Sequence, residues 1–234
     1  MAPENTKVSE PLLKVTKANQ YQTIGELFER SKPTSPYYAL LVLSAVIVAS
    51  GLLLDNLAVV IGGMLVTPVL TPVLVIALGL AVGNLKAVSH AIFLVGKSFL
   101  IILTSGALMV LLFGPATEQI IFNSTFESAW LYFIVAVASG VAATFAWVRK
   151  EIAEVLPGVA VAVALVPPLS LVGIWAVSGN VEAVKYFLLV FLFNFVGIIL
   201  GSAIVFMLLK FYRSEERVTK KGEEQIKAEK KTVK

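Results

Sequence analysis

The sequence predicts an all-α integral membrane protein, with six transmembrane helices arranged as two inverted three-helix repeats and the middle helix of each repeat broken at prolines. The first observation is composition: 58% of the residues are hydrophobic and the mean hydropathy is +0.88, which is far above that of soluble domains. The second is length, because apolar runs of about 18 to 29 residues match the ~20 that a helix needs to cross a bilayer. The third is an internal repeat.

The two halves of the apolar region resemble each other at a spacing of about 96 residues. Residues 83–88 read GNLKAV, and residues 179–184 read GNVEAV. Four further pairs coincide in the same register: Gly62 with Gly158, Pro72 with Pro168, Asp55 with Glu151, and Ser98 with Asn194. Because three spans per copy is an odd number, the second copy must lie inverted in the membrane. Inverted repeats with interrupted middle helices are typical of membrane transporters.

The predicted organisation has five parts. They are a cytoplasmic leader (1–36), membrane repeat 1 (37–113), an extracytoplasmic loop (114–128), membrane repeat 2 (129–209) and a charged cytoplasmic tail (210–234). In the leader, Tyr21, Ile24, Leu27 and Phe28 recur at helical spacing and predict a short amphipathic helix. This helix either lies on the membrane surface or is ordered by contact with its own membrane domain. The tail is expected to be a frayed, solvated helix, with binding to anionic lipid headgroups as the alternative.

The distribution of basic residues predicts the orientation. With the N-terminus inside, the cytoplasmic segments hold 17 lysines and arginines, whereas the outside loops hold only Lys185. Cytoplasmic loops of membrane proteins carry such an excess of positive charge. Both termini are therefore expected in the cytoplasm, with the protein in the inner (cell) membrane as a multi-pass protein.

Several classes of function are disfavoured by what the sequence lacks. The chain has no cysteine, which rules out disulfides, thiolate catalysis and cysteine-ligated metals. It has no His-Glu-x-x-His, Gly-x-Ser-x-Gly or phosphate-binding Gly-Lys-Ser/Thr motif, and its predicted spans hold no paired carboxylates. The net charge of +4 lies in tails and short loops without an aromatic platform, so nucleic acid is not an expected partner. No catalytic residue, metal site or cofactor is predicted, and the protein is not expected to be an enzyme.

The prolines inside the second (about 57–82) and fifth (about 153–177) predicted spans form the first candidate site. Proline removes a backbone donor and clashes with the preceding turn, so it frees carbonyl groups, and such breaks persist in a membrane only against protein or water. The residues concerned are Thr67, Pro68, Thr71 and Pro72 in repeat 1, and Pro167, Pro168 and Ser170 in repeat 2. The repeat symmetry predicts that the two breaks approach each other near the midplane and bind a solute or ion. The competing interpretation is a pair of kinked, well-packed helices in which threonines replace the lost hydrogen bonds.

Lys97 is the second candidate. It lies about eleven residues into the third predicted span, which corresponds to a depth of ~16 Å. Such a lysine is expected to face the protein interior beside the breaks, either as the counter-charge of an anionic solute or as a cation for the freed carbonyls. Snorkelling or a misplaced span is the remaining alternative. Ser98 and Asn194 occupy matched positions in their spans and are also candidates, with cross-helix hydrogen bonding as the alternative.

Residues 55–72 resemble a known family. The family pattern is an acid, a short apolar run, Ile-Gly-Ala-Met-Leu and two spaced prolines. The matching positions are Asp55, Ile61, Gly62, Met64, Leu65, Pro68 and Pro72, with Gly63 in place of the alanine. This is similar to the prokaryotic "uncharacterised hydrophobic domain" family, polytopic membrane proteins of unknown function, over about 37–210. The resemblance implies a fold and a location but no activity.

These features together predict a transporter or channel for a small solute, with its site between the broken helices. An anionic solute is the class that Lys97 would favour. The alternative is a non-transporting membrane scaffold or accessory subunit. The expected partners are membrane lipids, further copies of the chain in a homo-oligomer, and an unidentified small solute.

Overall fold

The computed structural model describes residues 15–114, 126–149 and 165–232, with side chains for all of these except 126–129 and 229–232. The described residues are helical and contain no strand. The helices, in chain order, are α1 (Lys17–Arg30), α2 (Ser35–Leu53), α3 (Leu57–Val66), α4 (Leu70–Val82), α5 (Leu85–Phe113), α6 (Phe126–Val148), α7 (Val166–Val177), α8 (Val181–Leu208) and α9 (Glu215–Thr232). A short 3-10 helix, Phe211–Ser214, joins α8 to α9.

Four of these helices are long and apolar enough to cross a membrane: α2, α5, α8 and the Trp130–Val148 part of α6. The pair α3 and α4 becomes a fifth span if its two halves are counted as one, and these halves are bent by 57° at their junction. The helix α7 has 12 residues and accounts only for the second half of the fifth predicted span. The first half of that span and most of the predicted loop 114–128 lie outside the described residues.

The repeat seen in the sequence has a local structural counterpart at two turns. Gly83 and Gly179 both take the left-handed conformation, with φ of 76° and 72°, which glycine adopts without a steric cost. The asparagine that follows each glycine caps the next helix. The side chain of Asn84 accepts a hydrogen bond from the Ala87 amide, and that of Asn180 accepts one from the Ala183 amide. The aligned hexapeptides therefore mark the same structure, a tight turn that starts a helix.

Glycines allow two pairs of helices to pack with their backbones in contact. On α5, a Cβ atom added to Gly106 would lie 2.5 Å from the carbonyl oxygen of Ser170 on α7. On α8, a Cβ atom added to Gly197 would lie 2.8 Å from the Cβ of Ala136 on α6. Small residues at such crossings are the usual means by which membrane helices approach closely, because lipid provides little hydrophobic driving force.

The amphipathic leader helix is ordered by contact with its own chain. Ile24, Leu27 and Phe28 of α1 are buried, and α1 packs against α4 and α9. The predicted amphipathic helix of the leader therefore corresponds to α1, and the structure supports the second of its two predicted roles, order by contact with its own membrane domain. The tail is also packed: Val218 of α9 has no exposed surface. The expected tail helix is thus present and most of its described side chains are exposed, but one face of it packs against the rest of the chain.

Hydrogen bonds join the two ends of the chain. The Gln20 side chain of α1 donates to the carbonyl of Leu209 at 2.8 Å and accepts from the Ser214 hydroxyl at 3.0 Å. The Gln225 side chain of α9 donates to the carbonyl of Ser31, the residue after α1, at 2.8 Å. All three bonds are buried, and buried polar groups of this kind are costly to leave without a partner. The helices α1 and α9 therefore lie on the same end of the helix bundle.

Candidate functional site

The first proline break occurs where the sequence predicts it. The helix α3 ends at Val66, and Thr67 has extended backbone angles (φ −67°, ψ 132°), as expected for a residue that precedes proline. The helix α4 begins at Leu70 and carries Pro72 in its first turn, where a missing amide proton costs nothing. The Thr71 hydroxyl lies 3.2 Å from the carbonyl of Pro68 and 3.3 Å from that of Arg30, and it can donate to one at a time. The break is thus tied to the end of α1.

A cavity of about 620 Å³ opens beside this break, and we call it the break cavity. Its wall is formed by the end of α1, the loop that leads to α2, the first turns of α2, the break itself and the end of α6. Three of the predicted site residues, Thr67, Pro68 and Thr71, line it. Cavities of this size hold small ligands in many proteins.

The polar groups of the break cavity come mainly from outside the break. The guanidinium of Arg30 stacks over the Trp147 ring, with its carbon 5.4 Å from the ring centroid. The neighbouring Lys32 ammonium lies 2.6 Å from a carboxylate oxygen of Glu29. The Thr67 hydroxyl and the indole nitrogen of Trp147 are buried and have no hydrogen-bond partner among the described residues.

Ser98 lies next to this cavity and not in the wall. The Tyr37 hydroxyl, which belongs to a lining residue, is 2.8 Å from the Ser98 hydroxyl. Ser98 is fully buried, and its hydroxyl also donates to the carbonyl of Leu94 at 3.0 Å. Its role in the structure is the cross-helix hydrogen bond that was the alternative to a binding role.

Lys97 does not face the interior of the chain. Its side chain is exposed, and its ammonium lies 4.4 Å from the centroid of the Phe93 ring, one turn earlier on α5. It does not line the break cavity. The expectation of an inward-facing lysine beside the breaks is therefore wrong for the single chain, because the outer face of α5 carries this position.

The residues of the second break lie apart from the break cavity. Pro167 and Pro168 occupy the first turn of α7, and Ser170 is buried at the crossing with α5, with no hydrogen-bond partner for its hydroxyl among the described residues. Asn194 is 4% exposed in the middle of α8. None of these four residues, nor Pro72, lines the break cavity. The structure thus brings together three of the ten predicted site residues.

Sequence reasoning missed the groups that give the cavity its chemistry. Arg30 and Lys32 were counted only as charges that set the orientation, and Trp147 as part of an apolar span. One sequence feature points to Arg30: it lies at the end of a predicted amphipathic helix, whose apolar face needs either the membrane surface or the membrane domain as a cover. Nothing in the linear sequence places Trp147 opposite Arg30, since 117 residues separate them.

Comparison with known proteins gives a family and one curated relative. A family model described as "Domain of unknown function (DUF389)" matches residues 64–200. An uncharacterised protein of Methanocaldococcus jannaschii is 29% identical over 169 residues, which cover 71% of this chain and 52% of that relative. The chain thus spans about half the length of the curated relative. No solved structure matches the chain. The match confirms the resemblance to an uncharacterised family that residues 55–72 indicated.

Proposed function

The chain belongs to the family described as a domain of unknown function (DUF389), and on that premise we propose that it is a transporter or channel for a small solute, with its site at the break cavity. The observation that carries this proposal is the coincidence of the cavity with a broken apolar helix. In transporters, binding sites lie where membrane helices are interrupted, because the interruption supplies polar backbone groups within the bilayer.

The proposal includes six spans arranged as inverted repeats. Contacts between elements support it, because α5 packs against α7 while α8 packs against α4, which are equivalent pairs under the repeat. Two hydrogen bonds support it too. Tyr37 of α2 bonds Ser98 of α5, and Ser202 of α8 donates to the carbonyl of Gly140 on α6 at 3.0 Å. The two bonds join residues 61 and 62 positions apart, so α2 and α5 have nearly the same relative register as α6 and α8.

The proposed location is the inner (cell) membrane, with both termini in the cytoplasm. The packing of α1 against α9 supports the same side for both ends of the chain. The segments assigned to that side carry an excess of basic residues, which supports a cytoplasmic location for both termini.

Membrane lipids and other copies of the chain are the proposed partners. Light scattering of the purified protein measures the mass of the complex, and a monomer would contradict the homo-oligomer.

Thiol labelling tests transport without knowledge of the solute. The native chain has no cysteine, so Leu65→Cys provides a single thiol in the cavity wall, at a position that is 48% exposed. Ala45→Cys provides a matched control, because Ala45 of α2 has no exposed surface. A membrane-impermeant thiol reagent is applied to sealed vesicles of either orientation.

A transporter or channel exposes its site to both faces of the membrane, so we expect Leu65→Cys to react in both vesicle preparations and Ala45→Cys in neither. Reaction from one face only would make the cavity a binding pocket and favour the accessory or scaffold function. Absence of reaction from either face would remove the basis of the transport proposal.

A further inference from the structure

We propose that the break cavity binds an oxyanion, a phosphate or carboxylate group, on the guanidinium of Arg30. This inference rests on the proposed function and narrows it, since it names the class of ligand. In this proposal the positive charge that binds the anion belongs to Arg30, whereas the sequence had suggested Lys97 for this role.

Arg30 is held at two points of the cavity wall. Its carbonyl oxygen lies 3.3 Å from the Thr71 hydroxyl of the break. Its guanidinium lies over the ring of Trp147, which is itself only 7% exposed. The guanidinium is planar and presents its N–H groups as a fork, which matches the two oxygens of a carboxylate or phosphate.

The charge of Arg30 is not neutralised within the described residues. Three charged side chains line the cavity wall: the acidic Glu29 and the basic Arg30 and Lys32. Lys32 pairs with Glu29 at 2.6 Å, whereas Arg30 forms no ion pair among the described residues. The remaining positive charge in a concave, largely apolar wall attracts anions.

Two hydrogen-bond donors of the same wall also lack acceptors within the part of the chain that the structure describes. They are the hydroxyl of Thr67 and the indole nitrogen of Trp147, both buried. Buried polar groups in folded proteins nearly always have partners, and exceptions call for a ligand, a water or a second conformation. An indole N–H only donates, so the group that satisfies Trp147 must be an acceptor. An oxyanion on Arg30 is such a group.

The position of the cavity allows two sources for the oxyanion. Pro36 and Tyr37, in the first turn of α2, form part of the wall, and the start of a spanning helix lies near the lipid headgroups. The ligand is therefore a free oxyanion or the phosphate of an anionic phospholipid. Both present the same chemistry to Arg30.

Tryptophan fluorescence of the full chain tests the inference. The substitutions Trp130→Phe and Trp175→Phe leave Trp147 as the only tryptophan, and its emission is titrated with inorganic phosphate in phosphatidylcholine nanodiscs. We expect a saturable change, and we expect Arg30→Gln to weaken phosphate binding about tenfold or more, because a charge-assisted contact is lost. The matched control is Arg217→Gln, since Arg217 also stacks on an aromatic ring, that of Tyr21, at 5.4 Å, but lies outside the cavity.

A second variant, Arg30→Lys, separates loss of binding from a folding defect. It keeps the charge but offers one compact ammonium instead of a planar fork, so we expect its affinity for phosphate to lie between those of the starting protein and Arg30→Gln. Its elution volume in size-exclusion chromatography should be unchanged. Three results would overturn the inference: no phosphate response in the starting protein, unchanged affinity in both Arg30 variants, or an equal loss in Arg217→Gln.

The source of the oxyanion follows from repeating the titration in nanodiscs that also contain phosphatidylglycerol. Loss of the phosphate response there supports a lipid headgroup as the occupant, and an unchanged response supports a free anion. Failure here is distinct from failure of the proposed function. A cavity that labels from both faces but gives no phosphate response would leave transport in place, for a neutral or cationic solute.

Discussion

Replacing Gly106 by alanine tests the helix crossing on which the inverted-repeat arrangement depends. The new Cβ atom would lie 2.5 Å from the carbonyl oxygen of Ser170. Neither atom can rotate away, because the backbone of α5 fixes the Cβ and the oxygen belongs to the backbone of α7. The helices α5 and α7 must therefore separate by roughly 0.9 Å to restore an ordinary contact of 3.4 Å. Overpacking of this kind costs about 1–3 kcal/mol.

The matched control is Gly96→Ala on the same helix. A Cβ atom at Gly96 meets nothing within 4 Å. Both substitutions gain the same helix propensity, about 1 kcal/mol for alanine over glycine in a helix interior. The difference between the two variants therefore isolates the steric cost at Gly106.

Thermal unfolding of the purified variants in detergent measures this difference. A change of 1 kcal/mol shifts Tm by roughly 2–4 °C for a chain of 150–250 residues, so Gly106→Ala should melt roughly 2–12 °C below Gly96→Ala. Because membrane proteins often unfold irreversibly, both must be scanned at one rate. Equal melting temperatures would refute the close α5–α7 crossing and with it one of the two equivalent pairs of the repeat.

Three further predictions use single substitutions. Asn180→Ala removes the cap of α8 and should cost about 1 kcal/mol, while Asn84→Ala should lower Tm further, because the Asn84 amide also donates to a threonine of α9 at 2.7 Å. A cysteine in place of Glu182 should label from outside with an impermeant reagent, and one in place of Lys220 only after permeabilisation; the opposite pattern would reverse the orientation. Lys97→Met should change stability by less than about 0.5 kcal/mol, because the side chain is exposed, and a large loss on melting would restore a structural role for this lysine.

The parts of the fold that sequence predicts well are those with a local cause. The break after Val66 follows from a proline and from the restriction it places on Thr67. The turns at Gly83 and Gly179 follow from glycine and a capping asparagine, which are local features present in both aligned hexapeptides. Local backbone preferences operate within a few residues, and a linear pattern contains all the information they need.

The cavity depends on contacts between distant segments, which the linear pattern does not contain. Arg30 meets Trp147 only because α1 folds back onto α4 and reaches the end of α6. The amphipathic pattern of α1 predicted a buried face but not the surface that covers it. The candidate residues that line the cavity, Thr67, Pro68 and Thr71, are those whose position follows from the break itself.

The prediction for Lys97 depended on where its helix enters the membrane. The depth of Lys97 was counted from the start of the apolar run. The hydrogen bond between Tyr37 and Ser98 instead shows which residue of α5 lies beside the first turn of α2. Tyr37 is the third residue of α2, whose 19 residues span about 28 Å, the thickness of the hydrocarbon core. Given that α2 spans this core, Lys97 lies level with its first turn, where a lysine side chain reaches the headgroups.

The part of α5 before Lys97 then has a different environment from the rest of the helix. Thirteen residues precede Ser98 in α5, a length of about 20 Å beyond the start of α2. This segment packs against α9, where Lys86 lies 4.0 Å from Glu223 and Asn84 bonds Thr219. Charged side chains are costly in hydrocarbon, so α9 lies outside the membrane core. On this geometry, α5 combines a membrane span with a first segment that packs against α9, so a count from the start of the apolar run overestimates the depth of Lys97.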